Sequence, residues 1–188
     1  MNVEHSAIPE VLILTPVVRA DERGSFHESW QEARYADAGL PSRWVQDNVS
    51  RSGRGVLRGL HFQHPRGQGK LLSVLAGEIL DVAVDVRRGS PTFGCGVSVS
   101  LSSENHRQLY VPAGFAHGFL VVSEGAVVHY KCTEHYRPES EHALAWNDPA
   151  LQLRWPVANP IMSTKDAAAR RLAEFDDAEL PTFVVAGA

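Results

Sequence analysis

The chain has 188 residues, of which 44% are hydrophobic and 21% charged, and its net charge is −4. That length suits one domain with a sizeable core, and the composition is ordinary for a globular protein. The acidic balance argues against a nucleic-acid binder held by a broad basic face, and no apolar run approaches the roughly 20 residues of a membrane span.

Met1 to Glu10 lacks a basic start followed by an apolar stretch, so the expected location is the cytoplasm. Val11 to Val18 reads as an edge strand or as one lent to a partner subunit. Asp21-Glu22-Arg23-Gly24 is a turn, and Ser25-Phe26-His27-Glu28 follows it. Trp30 to Ala38 suits a short helix stopped by Gly39 and Pro41. Gln46-Asp47-Asn48 is a compact polar run, either a loop or a set of hydrogen-bonding groups for a base or sugar.

From about residue 45 to 155 the pattern is of short strands separated by Gly, Pro and Ser. Leu71 to Leu75 ends at the turn Ala76-Gly77-Glu78. Ile79 to Val86 then alternates, with Leu80, Val82, Val84 and Val86 on one face and Asp81, Ala83 and Asp85 on the other. Gly96 to Leu101, Leu109 to Val111, Gly118 to Val122 and Val127 to Cys132 continue the series. Regular spacing of this kind favours a sandwich, jelly roll or small barrel. Near the end, Ser163-Thr164-Lys165-Asp166 has the form of a capping box, with a helix expected over Ala167 to Phe175. Cys95 and Cys132 fit neither a disulfide framework nor a zinc pattern and are expected as buried or half-buried thiols.

Two stretches stand out chemically. Gly55-Val-Leu-Arg58-Gly59-Leu-His61-Phe62-Gln63 sets an Arg, two glycines and a His in a strand-like segment. Pro112-Ala-Gly114-Phe-Ala-His117-Gly-Phe119 places a His at the opening of another strand. Gly-x5-His and Pro-x-Gly-x2-His resemble the two motifs of the cupin superfamily. Metal-binding cupins continue the first as His-x-His, but Gln63 stands at the second His, and no Glu lies between Gln63 and Glu78. His61 and His64, three apart on a strand, point to opposite faces and do not readily share an ion. His61 is then either a hydrogen-bonded core histidine or a general base. Tyr130 shares a face with Val128 and Cys132, as a core tyrosine or a proton donor. Lys70, at the head of an apolar strand, is a solvated strand end or an ammonium aimed at a developing enolate. Strict alternation puts Arg58 and His61 on opposite faces, so for both to reach one ligand the strand must bend, bulge or end near Gly59.

Taken together, Asp21 to Glu28, Gln46 to Asn48, Gly55 to Gln63, Gln68-Gly-Lys70, Asp81 to Arg87, Ser90 to Gly94, Gly114 to Phe119, Tyr130-Lys131 and Trp146 to Pro149 resemble the dTDP-4-dehydrorhamnose 3,5-epimerase family. They occur in that family's order from about residue 8 to 166. The resemblance implies a mainly β, cupin-type jelly-roll barrel with short peripheral helices, one domain over 1–188, and a homodimer exchanging N-terminal strands. It implies no cofactor and no metal. The implied substrate is a dTDP-linked 4-keto-6-deoxy sugar, epimerised at C3 and C5 with His61 as base and Tyr130 as acid. Asp166 matches the carboxylate that pairs with the base, and Lys70 stabilises the enolate. Arg23, Glu28, Gln46, Asp47, Asn48, Arg58, His117, Glu141 and Lys165 fall at substrate-contact positions. Asp81 and Asp85 match carboxylates beside the site. Val49, Phe62 and Tyr110 depart from the family's commonest residues, which leaves the nucleotide pocket less defined. The alternatives are an epimerase acting at C3 or C5 alone and a non-catalytic cupin that binds a nucleotide sugar.

Overall fold

The alternating pattern resolves into strands in the computed structural model, which describes residues 1–184. In chain order they are β1 (Asn2–His5), β2 (Leu12–Thr15), β3 (Arg19–Asp21), β4 (Gly24–Phe26), β5 (Gln46–Gly53), β6 (Leu57–Gln63), β7 (Lys70–Ala76), β8 (Glu78–Asp85), β9 (Gly96–Ser102), β10 (Gln108–Val111), β11 (Phe115–Val121), β12 (Gly125–Cys132) and β13 (Glu141–Ala143). Among the described residues helix is confined to α1 (Glu32–Asp37), α2 (Thr164–Ala167) and short 3-10 turns. One sheet has the order β1-β2-β10-β7-β12-β5, the other β13-β6-β11-β8-β9, and β3 pairs only with β4. The pairings are antiparallel throughout both sheets. This is the mainly β jelly-roll arrangement expected.

Three apolar layers explain why the sheets stay together. Between them lie Leu72, Val74 and Val128 of one sheet and Ile79, Ala83, Val99 and Phe119 of the other. The outer face of the second sheet is also covered. Leu60, Phe62, Val82 and Val84 pack under Leu144, Leu151, Leu172 and Phe175. On the outer face of the first sheet, Leu12, Leu14 and Leu71 lie under Tyr35 and Leu40. Each Val, Leu, Ile or Phe side chain among them removed from water contributes roughly 1.5–3 kcal/mol. Because both faces of β8 are covered, Asp81 to Asp85 is buried throughout despite its alternating sequence.

The helix expected over Trp30 to Ala38 is α1, capped by the Gln31 side chain accepting from the Arg34 amide at 2.7 Å. Three expectations are corrected. β2 is no edge strand; it lies between β1 and β10, since its apolar residues are needed in the outer layer. Cys95 is exposed in the loop before β9, whereas Cys132 is buried. The helix over Ala167 to Phe175 does not form beyond Ala167. Arg170 instead bridges to Leu144, and Leu172 to Glu174 make a 3-10 turn that sets Leu172 and Phe175 onto the sheet. Burying the Leu172 and Phe175 side chains outweighs the weak intrinsic preference of a short alanine run for helix.

Candidate active site

A cavity of about 290 Å³ opens between the two sheets. β5, β7 and β12 give it Ser50, Lys70 and Tyr130. β6, β11 and β13 give it Arg58, His61, His117, Phe119 and Glu141. The start of α2 closes it with Ser163, Lys165 and Asp166.

The break required near Gly59 is present. His61 pairs with His117 and Arg58 with Phe119, so two residues intervene on β6 where one intervenes on β11. The extra residue is a β-bulge, and it turns Arg58 and His61 into the same cavity. Glycine is required on both strands. Gly59 has φ +107, and a Cβ there would lie 2.6 Å from the His117 carbonyl oxygen. A Cβ on Gly118 would lie 2.5 Å from the Arg58 carbonyl oxygen.

His61 Nε2 is 2.6 Å from Asp166 Oδ1. Asp166 also accepts from the Gly59 amide at 3.4 Å, and its own amide donates to Ser163 Oγ at 3.1 Å. Only one half of the capping box therefore forms, because the carboxylate is turned to the imidazole. Burial alone would raise the Asp166 carboxyl, but the hydrogen bond and charge of His61 hold it below the usual carboxylate range. An ionised carboxylate only accepts, so Nε2 carries the hydrogen and Nδ1 is the basic nitrogen. Nδ1 lies 3.7 Å from Glu141 Oε1. Glu141 also accepts from Tyr136 Oη at 2.9 Å and is ion-paired with Lys165. Burial favours its neutral form, yet Lys165, His61 and Tyr136 keep its carboxyl low.

Tyr130 and Lys70 face the same space. Burial raises the Tyr130 phenol, with Cys132 adding to it and Arg58 opposing, so it holds its proton at neutral pH. Burial pushes the Lys70 ammonium below the ordinary lysine range, against the pull of Cys132, Glu141 and Asp81. His117 Nε2 contacts both oxygens of Asp81, at 2.9 and 3.0 Å. Burial raises the Asp81 carboxyl, partly offset by His117 and Lys70.

The cavity thus gathers His61, Tyr130, Asp166, Lys70, Arg58, His117, Glu141 and Lys165. Gln46 and Asn48 lie on the Ser50 face of β5, joined by a 3.0 Å hydrogen bond, outside the cavity wall. Asp47 is corrected. Period two turns it to the outer face, where it pairs with Lys131 at 2.9 Å. Asp85 is likewise no neighbour of the cavity, because it holds Arg87, Ser90 and Thr92 in the following loop. Within one chain Arg23 and Glu28 are not at the cavity. Arg23 is 85% exposed and paired to Asp21, and Glu28 is paired to Arg34. Gln63 has its amide engaged by the backbone of Arg66, His135 and Arg137, which leaves it no role as a donor to an ion. Ser50, Ser52 and Tyr136 belong to none of the sequence motifs, and Phe119 and Ser163 stand in the Gly114 to Phe119 run and the capping box without a site role there. The row Gln46, Asn48, Ser50, Ser52 at period two was the available signal for the two serines.

An imidazole–carboxylate pair facing a phenol and an ammonium inside a jelly roll defines a proton-transferring isomerase, one that takes and returns protons next to a carbonyl. The comparisons with known proteins narrow this. The family model described as dTDP-4-dehydrorhamnose 3,5-epimerase matches residues 5–174. The Pseudomonas aeruginosa dTDP-4-dehydrorhamnose 3,5-epimerase is 50% identical over 178 residues, covering 94% of this chain and 98% of that protein. A crystal structure of the Legionella pneumophila dTDP-6-deoxy-D-glucose-3,5-epimerase in complex with dTDP-4-keto-L-rhamnose superposes with a TM-score of 0.94. It is 52% identical and covers 97% of this chain and 98% of that one. A Streptomyces niveus protein named dTDP-4-dehydrorhamnose 3-epimerase is 40% identical over 186 residues, covering 97% and 90%. This chain belongs to the dTDP-4-dehydrorhamnose 3,5-epimerase family.

Proposed function

We propose that the chain converts dTDP-4-keto-6-deoxy-D-glucose to dTDP-4-keto-L-rhamnose by inverting C3 and C5. The observation that carries this reading is the His61–Asp166 pair facing Tyr130 and Lys70 in one cavity. The C4 ketone acidifies the protons on C3 and C5, since loss of either gives an enolate. His61 Nδ1 takes the proton, and Asp166 holds the tautomer and stabilises the imidazolium. Lys70 offsets the enolate charge, a preorganised electrostatic contribution that is often the largest in such reactions. Inversion requires a new proton from the other face, and Tyr130 supplies it to carbon as its raised phenol remains protonated. Proton transfer of this kind contributes roughly 10²- to 10⁴-fold to rate.

Arg58 binds the diphosphate, because a guanidinium reads phosphate as a fork. His117, Glu141 and Lys165 contact the substrate around the dyad, and Gln46 and Asn48 meet its nucleotide end. Arg23 and Glu28 join a second copy's cavity in a homodimer that exchanges N-terminal segments. The separate β3–β4 ribbon and the exposed Phe26 support that arrangement. The reaction needs no bound cofactor and proceeds in the cytoplasm. No helix among the described residues is long and apolar enough to cross a membrane.

One rival has a specific observation in its favour: the 40% identical relative named as a 3-epimerase. Turnover of dTDP-4-keto-6-deoxy-D-glucose in deuterated water separates the two. Deuterium at both C3 and C5 of the product is expected, and deuterium at C3 alone would assign the chain to the single-site activity.

A further inference from the structure

Arg58 is held by a residue of the other sheet, six positions earlier in the chain. Its Nε donates to Ser52 Oγ at 2.9 Å. Ser52 is on β5 of the six-stranded sheet and Arg58 on β6 of the five-stranded sheet, so this bond spans the two. Ser52 is buried at 9% exposure, whereas Arg58 is exposed at the cavity wall. Among the described residues no carboxylate lies in salt-bridge reach of Arg58. The serine hydroxyl is therefore the side-chain group that sets the guanidinium's direction.

A guanidinium has five N–H donors in a rigid plane and can meet phosphate side-on, through Nε and one Nη, or end-on, through both Nη atoms. With Nε occupied, the side-on mode is closed and the end-on pair of Nη–H donors is left for the ligand. We propose that Ser52 is a positioning residue that restricts Arg58 to end-on binding of the diphosphate. This rests on the reading of Arg58 as the diphosphate contact. Ser52 does not touch the reacting carbons, and its effect is to freeze a long, rotamer-rich side chain before the ligand arrives. Immobilising such a side chain costs roughly 0.5–1.5 kcal/mol, equivalent to about a two- to tenfold change in affinity.

The test is calorimetric binding of dTDP and of thymidine to the full chain, with Ser52→Ala, Ser52→Thr, Arg58→Ala and the Ser52→Ala/Arg58→Ala double variant. Ser52→Ala is expected to weaken dTDP about two- to tenfold and leave thymidine unchanged. It should raise KM with kcat nearly intact, as for loss of uniform binding. Ser52→Thr keeps the hydroxyl and restores dTDP affinity, and in the Arg58→Ala background the Ser52 change has no further effect. The proposal is overturned if Ser52→Ala leaves dTDP affinity unchanged while Arg58→Ala weakens it. It is equally overturned if the Ser52 loss persists undiminished without Arg58, since the serine would then act on the fold alone. If Arg58→Ala itself leaves dTDP affinity unchanged, the diphosphate role of Arg58 falls, and the positioning role with it.

Discussion

Two His–Asp pairs sit side by side on neighbouring strands, and they are not equivalent. His61 and His117 are register partners across β6 and β11. The His61 side chain is 27% exposed and that of His117 8%. His61 bonds one oxygen of Asp166, at the start of a helical turn that also donates the Asp166 amide to Ser163. His117 is shared between both oxygens of Asp81, a wholly buried carboxylate. The polar supports of Asp166 hold its carboxyl low, while burial pushes that of Asp81 up. The same two residue types therefore give different chemistry. Asp166 remains an anion behind an accessible imidazole, which suits a base. Asp81 and His117 form an enclosed pair, which suits fixing a ligand group and the cavity wall.

The sharpest way to break this comparison is to make the same change in both histidines. His61→Asn is expected to lower kcat by about 10³-fold, within the range for a lost general base. His117→Asn should cost about tenfold or less, mostly through KM. Equal losses in kcat would remove the distinction. Tyr130→Phe comes next. It should lower product formation about 10²-fold while wash-out of the substrate proton continues, because abstraction by His61 precedes reprotonation. Loss of wash-out as well would return Tyr130 to a core role.

Lys70 gives the third expectation. Its folded value is depressed by burial, so it loses its proton at a lower pH than an ordinary lysine. The alkaline limb of kcat/KM should fall below the ordinary lysine value of 10.5, and Lys70→Met should remove that limb while lowering the plateau. An unchanged profile in Lys70→Met would contradict an electrostatic role.

The smallest effect concerns stability. Asp166 has a depressed folded value, so its contribution is complete above the ordinary carboxylate value of 3.8 and is lost as pH falls through the folded value. Asp81 has a raised folded value, so the sign reverses, and folding is favoured as pH falls through that value. Urea melts of Asp166→Asn should therefore show a deficit against the parent chain that is smallest below the depressed folded value and reaches its full size above the ordinary carboxylate value of 3.8. Asp81→Asn should show no such growth.

Much of this was legible in the sequence, and what escaped has physical reasons. The strands of the middle third, the conflict between Arg58 and His61, and its resolution at Gly59 follow from period two, since a bulge is the simplest way to bring two wrongly phased residues to one cavity. Asp47 was misplaced because a motif is quoted as a run, whereas a strand sends alternate residues to opposite sides. The C-terminal helix was misjudged because an alanine run reads as helix locally. The buried face of β8 instead takes Leu172 and Phe175 in extended and 3-10 form. Ser52 escaped because the polar row Gln46, Asn48, Ser50, Ser52 marks one face of β5 without showing the Arg58 partner that gives the serine its role. Arg23 and Glu28 are legible as motif residues, but within one chain they lie away from the His61 cavity.

On the proposed mechanism His61, and not its strand neighbour His117, removes the substrate's proton. This is tested most directly by following deuterium into dTDP-4-keto-6-deoxy-D-glucose by NMR in deuterated water, for the parent chain, His61→Asn and His117→Asn. The parent and His117→Asn should both incorporate deuterium at C3 and C5, and His61→Asn at neither. Incorporation by His61→Asn at the parent rate would contradict the claim.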